Sequence, residues 1–394
     1  MISVEQAIEL IQQHSKRLPS KKVPVIDALG CVLSENAISP ISLPPFDQSA
    51  MDGYAVRFSD SEKQIKIIGE VAAGKVFPKK LQSGEAVRIF TGASVPVGTD
   101  TVIMQERILI ENGNLLLQDP NLKKGANIRK AASQIKKGKI ALSKGTIITP
   151  GGIGYLTAMG IKTLNVFAPP RITIIITGSE LRKPGEKLKN GEIYESNSFA
   201  LNSSLQSIHL KSQKTITVKD NEAAVFNAIK KAIAKSDLVL VTGGISVGDY
   251  DFTGSSLKKI GVKNIFYKIK QKPGKPIFFG KHNKTLIFGL PGNPAAVLSC
   301  FYEYVYPSLR IMQGRNDVFL KKLNLPIAND YNKKAGLSFF LKGKISDKTV
   351  VPLEGQESYI LSSFAFADCL IYLHAESENM KTGDLVEVHL LPNN

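Results

Sequence analysis

Residues 237–251 read DLVLVTGGISVGDYD, and this stretch decides how the chain is built. Leu238, Val239, Leu240 and Val241 form a continuous branched apolar run without alternation, the pattern of a parallel strand covered on both faces. Gly243 and Gly244 follow, letting a ligand approach the backbone with no Cβ in the way and offering main-chain N–H donors, although a plain tight turn also explains a glycine pair. Ser246 can donate to a phosphate, and Asp249 and Asp251 can hold a divalent cation beside it. In open α/β sheets ligands bind at the carboxyl ends of the strands, so chemistry is expected at this loop.

Towards the amino terminus, apolar runs at 172–176 and 215–218 alternate with helical patterns at 198–210 and 222–235. That order predicts a parallel sheet with flanking helices between residues 171 and about 314. Val225, Ile229, Ala232 and Ile233 give the second helix one apolar stripe to lay on the sheet. Towards the carboxyl terminus, Lys272, Pro273, Gly274, Lys275 and Pro276 read as a rigid cationic loop, and GLPGNP at 289–294 follows a strand-like run at 285–288. Asn293 is placed to cap a helix, Pro294 suits its first position, and Val297, Leu298, Phe301 and Val305 supply the apolar spacing. The free N–H groups of that helix are expected to face the loop, favouring phosphate or another oxyanion.

Val4, Ala7, Ile8 and Ile11 mark an amphipathic helix, with Ser3 and Gln6 placed as a capping box. Residues 23–139 read as short β runs, such as 86–90 and 101–104, broken by Gly, Pro and Asn. Residues 150–160 look helical, and Ala168, Pro169 and Pro170 mark a boundary. Beyond Arg315 the pattern is all-β again, with Val386, Val388 and Leu390 facing one way and Glu387 and His389 the other.

A chain of 394 residues with 43% apolar content can bury several cores, which suits a multidomain enzyme. Cys31, Cys300 and Cys369 are too few and too scattered for a disulfide framework or a zinc site, and they fit the cytoplasm. No apolar run approaches the ~18 residues that span a bilayer, and no export signal opens the chain, so no membrane association is expected. A formal charge of +17 invites a nucleic-acid reading. The lysines are spread singly or in pairs, with no Trp and no helix-turn-helix or zinc-finger spacing. The expectation is therefore a solvated basic surface that attracts anionic substrates, with no nucleic-acid partner.

PPFDQSAMDGYAV at 44–56, RIFTGASVPVGTDTVIMQE at 88–106, TGSEL at 177–181, TGGISVGDYD at 242–251, KPGKP at 272–276 and GLPGNP at 289–294 resemble, in this order, the signatures of the molybdopterin molybdenumtransferase family. These are the MoeA proteins of bacteria, similar to the E domain of gephyrin. The resemblance covers nearly the whole chain and implies an α/β multidomain fold. Its parts would be an elongated N-terminal domain from 1–46 and 131–168, a β insertion domain at 47–130, a central parallel-sheet (MogA-like) α/β domain at 169–316 and a C-terminal β-barrel-like domain at 317–394. It also implies the reaction: molybdate is inserted into the dithiolene of adenylylated molybdopterin (molybdopterin-AMP), with Mg2+ and release of AMP. A homodimer is implied, its cleft assembled between the two chains, with molybdopterin adenylyltransferase and downstream molybdenum cofactor enzymes as further partners.

Carried over residue by residue, Asp52, Thr91, Glu180 and Asp251 match catalytic positions, and Asp220 and Asp251 match acidic positions associated with magnesium. Arg129, Gly243, Gly244, Ser246, Asp249, Lys268, Lys272, Lys275 and Pro294 match substrate-binding positions. Plainer readings stand beside these. Asp52 and Asp251 can form turns, Thr91 and Gly92 can close a strand, Asp220 can cap the helix after it, Ser246 can satisfy its own turn, and lysines usually face solvent.

The chain departs from the family where Ala132, Ser133 and Gln134 replace Gly-Glu-Asp, where Ser179 stands for an Asp and where Asn221 replaces the second of two acids. Fewer carboxylates are expected to weaken magnesium binding and slow hydrolysis. Two alternatives to the full enzyme are a molybdopterin-binding paralogue or scaffold with reduced catalysis, and a molybdopterin adenylyltransferase acting one step earlier.

Overall fold

The computed structural model describes residues 1–245 and 252–392. Its central sheet comprises β1 (Ile172–Thr177), β2 (Ser212–Val218), β3 (Leu238–Thr242), β4 (Lys263–Tyr267), β5 (Phe278–His282) and β6 (Thr285–Leu290), in the order β2-β1-β3-β6-β5-β4. Every residue of β1, β3 and β6 is buried, which is why their sequences are apolar without alternation. The pairs β2–β1, β1–β3 and β3–β6 are parallel, with Val241 opposite Ile175 on one side and Gly289 on the other. The expected parallel core is therefore present. Two strands not expected from the sequence, β5 and β4, extend it antiparallel. The hairpin of β5 and β6 turns at Asn283, which carries the positive φ of +53°, with Lys284 where a glycine would have signalled the turn.

Among the described residues the sheet is covered by α1 (Asn197–Gln206), α2 (Glu222–Ile233), α3 (Phe252–Ile260) and α4 (Pro294–Cys300). Val225, Ile229, Ala232 and Ile233 of α2 pack with Ile175, Val239, Val241 and Ile287 on one face. Leu201, Leu205 and Val297 pack with Ile174, Ile176, Leu240 and Phe288 on the other. Each large side chain so buried contributes on the order of 2 kcal/mol. The cap of α2 is Asn221, whose Oδ1 accepts the Ala224 N–H at 3.0 Å, so Asp220 is released from the capping role that its position allowed.

The helix Val4–His14 has its capping box: Ser3 Oγ accepts the Gln6 N–H at 3.2 Å and Gln6 Oε1 accepts the Ser3 N–H at 2.9 Å. Val4, Ala7 and Ile11 join the core of the central unit. Ser20–Pro24 pairs antiparallel with Thr163–Phe167, and Ala37–Ile38 with Ile140–Leu142, so the chain leaves this layer and returns to it. Between departure and return lies a separate six-stranded sheet that includes Gly53–Val56, Glu85–Ile89 and Thr101–Met104. The C-terminal sheet contains Lys322–Pro326, Ser338–Ser346, Cys369–Leu373 and Leu385–Leu390. In its last strand Val386 and Val388 enter the local core, and the opposite face is covered too, because His389 is buried against Glu303 of the π-helical turn Phe301–Val305. Among the described residues no helix is long and apolar enough to cross a membrane.

Candidate functional site

The carboxyl ends of β1, β2, β3 and β6 surround a cavity of about 730 Å³. Glu180 enters it from the loop after β1, Asp220 from the loop after β2, Gly243 and Gly244 from the loop after β3, and Pro294 from the start of α4. Five residues expected from the sequence are thus brought together.

The two glycines are required sterically. Gly243 has φ +86°, and a Cβ there would lie 2.6 Å from both the carbonyl oxygen and Oγ1 of Thr177. Gly244 has φ +61°, and its Cβ would lie 2.9 Å from Thr253 Oγ1. The strand end therefore packs closely against Thr177 and Thr253, and both glycines line the cavity.

Several lining residues escaped the sequence reading. Glu195, 8% exposed, accepts the Ser198 N–H at 2.7 Å and the Ser198 hydroxyl at 2.5 Å, and so fixes the start of α1. That places Asn197, whose Nδ2 donates to the Gly292 carbonyl at 2.8 Å and ties α1 to the loop after β6. Asn197 Oδ1 is buried without a hydrogen-bond partner among the described residues. The spacing of Glu195 and Ser198 ahead of an apolar-spaced run was the available signal. Tyr359, reaching in from the C-terminal unit, left no comparable trace in the sequence.

Two expectations are corrected. The N-terminus of α4 is not an open anion site: the Ala295 and Ala296 N–H groups donate to the Ser358 carbonyl at 3.1 and 3.3 Å. Asn293 makes no cap, its Nδ2 instead donating to Ser358 Oγ at 2.7 Å. Lys268, Lys272 and Lys275 are not among the residues that line the cavity. Lys272 belongs to the short strand Gln271–Lys272, opposite Phe339, with its Nζ 5.5 Å from the centre of that ring. Lys268 Nζ stands 5.1 Å over Tyr267, Lys275 is exposed, and of this loop Pro276 is the residue that lines the cavity.

Asp52 and Thr91 form a second cluster, in the separate β sheet. Asp52 Oδ1 accepts both the main-chain N–H and the hydroxyl of Thr91, each at 2.7 Å. The Thr91 N–H, then its hydroxyl, hold the Asp52 carboxyl below the usual carboxylate range, and the Arg88 guanidinium adds to this. Arg88 itself lies 5.0 Å over the Tyr54 ring and 5.3 Å over Phe90. Arg129 is exposed in a two-residue ladder with Gln48. Asp52, Thr91 and Arg129 do not line the 730 Å³ cavity of their own chain.

Among the described residues no group of three His, Cys, Asp or Glu side chains is placed to hold a metal ion. Glu180 and Asp220 nevertheless face one cavity, and two carboxylates suit a Mg2+ ion that completes its shell with water and substrate phosphates. Ser246, Asp249 and Asp251 lie outside the described residues.

Three family models match the chain: the MoeA N-terminal region (domain I and II) over residues 2–160, a probable molybdopterin binding domain over 173–311 and the MoeA C-terminal region (domain IV) over 324–391. The chain is 35% identical over 404 residues to the molybdopterin molybdenumtransferase of Haemophilus influenzae, covering 99% of this chain and 100% of the relative. It is 30% identical over 400 residues to that of Staphylococcus aureus, covering 99% and 95%. Two structures of the molybdopterin biosynthesis MoeA protein of Pyrococcus horikoshii superpose with TM-scores of 0.81 and 0.78, at 30% and 29% identity, over 99% of this chain and 99% and 100% of theirs.

Proposed function

The chain belongs to the MoeA family of molybdopterin molybdenumtransferases, enzymes of molybdenum cofactor biosynthesis, and from that premise we propose that it inserts molybdenum from molybdate into adenylylated molybdopterin lodged at the carboxyl edge of the central sheet. The observation that carries this reading is the convergence of Glu180, Asp220, Gly243, Gly244 and Pro294 on one 730 Å³ cavity, a volume suited to a nucleotide-sized ligand.

In this reading the main chain at Gly243 and Gly244 approaches the phosphates closely. Asp220 and Glu180 would hold Mg2+, with Asp251 as a further carboxylate by resemblance of its motif. When bound, the ion neutralises phosphate charge and polarises the anhydride. Glu180 orients a water that adds to phosphorus as AMP leaves. Ser246 and Asp249 bind substrate, again by motif alone. Lys268, Lys272 and Lys275 hold the doubly charged oxyanion as point charges.

Asp52, Thr91 and Arg129 act on the cavity of a second copy of the chain, so the working unit is a homodimer. Support comes from their absence in the lining of their own cavity and from the exposed Phe46 and Met51 near Asp52, 43% and 44% accessible. A cytoplasmic location is supported by three unpaired cysteines. Molybdopterin adenylyltransferase upstream and molybdenum cofactor enzymes downstream are the proposed partners.

The test is incubation of the protein with adenylylated molybdopterin, Mg2+ and molybdate, measuring AMP and reconstitution of an apo-molybdoenzyme. Stoichiometric AMP with reconstitution is expected. Tight binding without either product would identify a binding paralogue or scaffold instead, and ATP consumption with molybdopterin alone would identify an adenylyltransferase.

A further inference from the structure

Beneath the cationic loop lies a polar network that the reaction as described does not use. Gln271, 1% exposed, directs its Nε2 at two successive loop carbonyls, Pro273 O at 3.0 Å and Gly274 O at 3.3 Å. The other end of the same amide, Oε1, accepts the hydroxyl of Tyr304, which is fully buried on the π-helical turn Phe301–Val305. Cys300 Sγ donates to the Gly274 carbonyl at 3.7 Å from the other side. Gly274 sits at φ +83°, and a Cβ there would collide with that sulfur, so the loop is seated flat on this floor. Main-chain bonds close the edges: the Ile269 N–H donates to Lys275 O at 3.1 Å and the Lys268 N–H to Ile277 O at 3.0 Å.

An amide has one acceptor end and one donor end, and the loop carbonyls accept only the donor end. The Tyr304 hydroxyl, bound to Oε1, selects the orientation that the loop requires. We propose that Tyr304 and Gln271 are positioning residues for oxyanion binding: the tyrosine fixes the glutamine amide, the amide fixes the carbonyls of Pro273 and Gly274, and those fix the backbone from which Lys272 and Lys275 project. The pair touches neither the cavity nor the proposed ligand, and acts through the loop. This inference rests on the reading that these lysines hold molybdate.

Equilibrium dialysis of the full-length protein against molybdate, and separately against AMP, tests it in four variants whose melting temperatures are recorded in parallel. Tyr304→Phe keeps the ring and removes the hydroxyl. Gln271→Leu keeps the volume and removes the amide. Each should weaken molybdate binding by about tenfold, the size of effect that follows loss of an orienting hydrogen bond, while AMP affinity stays within about twofold. Gln271→Glu should weaken molybdate more, because a carboxylate offers only acceptors to the loop carbonyls. Lys275→Ala is the control on the underlying reading. Wild-type molybdate binding by Lys275→Ala would remove the loop from oxyanion binding altogether. Loss in Lys275→Ala with wild-type binding in both Tyr304→Phe and Gln271→Leu would overturn the positioning role alone. Parallel loss of molybdate and AMP affinity, tracking the melting temperature, would reduce the pair to a structural one. If Tyr304→Phe does not fold, Gln271→Leu decides.

Discussion

Ser179 and Asp220 hold each other across the carboxyl edge of the sheet: the Ser179 N–H donates to Asp220 Oδ2 at 3.0 Å, and the Asp220 N–H donates to Ser179 Oγ at 3.1 Å. The two residues follow β1 and β2, neighbouring parallel strands, so the reciprocal pair joins two cavity loops. Among the described residues it leaves Asp220 Oδ1 without a hydrogen-bond donor. Ser179 holds Asp220 through neutral groups, where the family resemblance implies an aspartate and one more negative charge.

Magnesium dependence should report that missing charge. Ser179→Asp adds a carboxylate next to Asp220, and cation affinity rises with the number of charged ligands. Half-saturating Mg2+ for AMP release should fall by about tenfold in this variant. Ser179→Ala should leave Mg2+ affinity weaker than wild type, since Asp220 loses the hydroxyl that receives its N–H. Equal Mg2+ dependence in all three proteins would remove Asp220 from the ion.

Ala132 occupies the left-handed region at φ +60°, at a position where the family resemblance implies a glycine. The conformation costs an L-residue about 1–2 kcal/mol, and a glycine would forgo that strain while adding about 0.5–1 kcal/mol of unfolded-state entropy. Ala132→Gly should therefore stabilise the protein by roughly 0.5–1 kcal/mol, read as a higher urea midpoint at unchanged m-value. The β-branched Ala132→Val should move the midpoint the other way.

Much of the catalytic unit was legible because buried parallel strands cannot alternate: the runs at β1 and β3 announced themselves, and the glycines after β3 marked where they end. The antiparallel edge was not, since Asn283 turns the hairpin without a glycine. Within the site, sequence spacing located the loops but not their contacts. The N–H groups of Ala295 and Ala296 looked free for an anion because their acceptor, Ser358, lies in a different unit some sixty residues away. Tyr359 enters the cavity for the same reason, from a distant unit that leaves no local pattern, whereas Asn197 was marked only indirectly, by the spacing of Glu195 and Ser198 around it.

The junction with the C-terminal sheet should respond to pH. His389, 4% exposed, places Nδ1 2.8 Å from Glu303 Oε1 and Nε2 2.7 Å from Glu387 Oε1, which also receives Lys322 Nζ at 2.8 Å. Burial alone would lower its pKa, and Lys322 opposes protonation slightly, but the Glu303 charge and the bonds to both carboxylates outweigh these and push it up to about 9. A folded-state pKa above the unfolded value near ~6.5 gives stability that is complete below that value and is lost as pH rises through about 9. Thermal melts should show the wild-type midpoint falling between about pH 7 and 10, whereas His389→Gln starts lower and changes less across the same interval. Superimposable profiles for the two proteins would contradict a charged His389.

The hydrogen bonds between Asp52 and Thr91 lie in the β sheet at residues 53–117, while Glu180 lies on the central cavity, and no lining residue of that cavity comes from that β sheet. If a working site combines Asp52 of one chain with Glu180 of another, two inactive variants can repair each other. Asp52→Asn retains an acceptor for Thr91 but loses the charge, and Glu180→Gln loses the cavity carboxylate; each alone should show a large fall in AMP release with the fold intact. Co-refolded or co-expressed, half of randomly formed dimers are mixed, and each mixed dimer carries one site with both acids and one with neither, so about a quarter of all sites should recover. AMP release that stays at the level of the separate variants, in a preparation shown by differential tagging to contain mixed dimers, would place both acids in sites built by a single chain or remove one of them from catalysis.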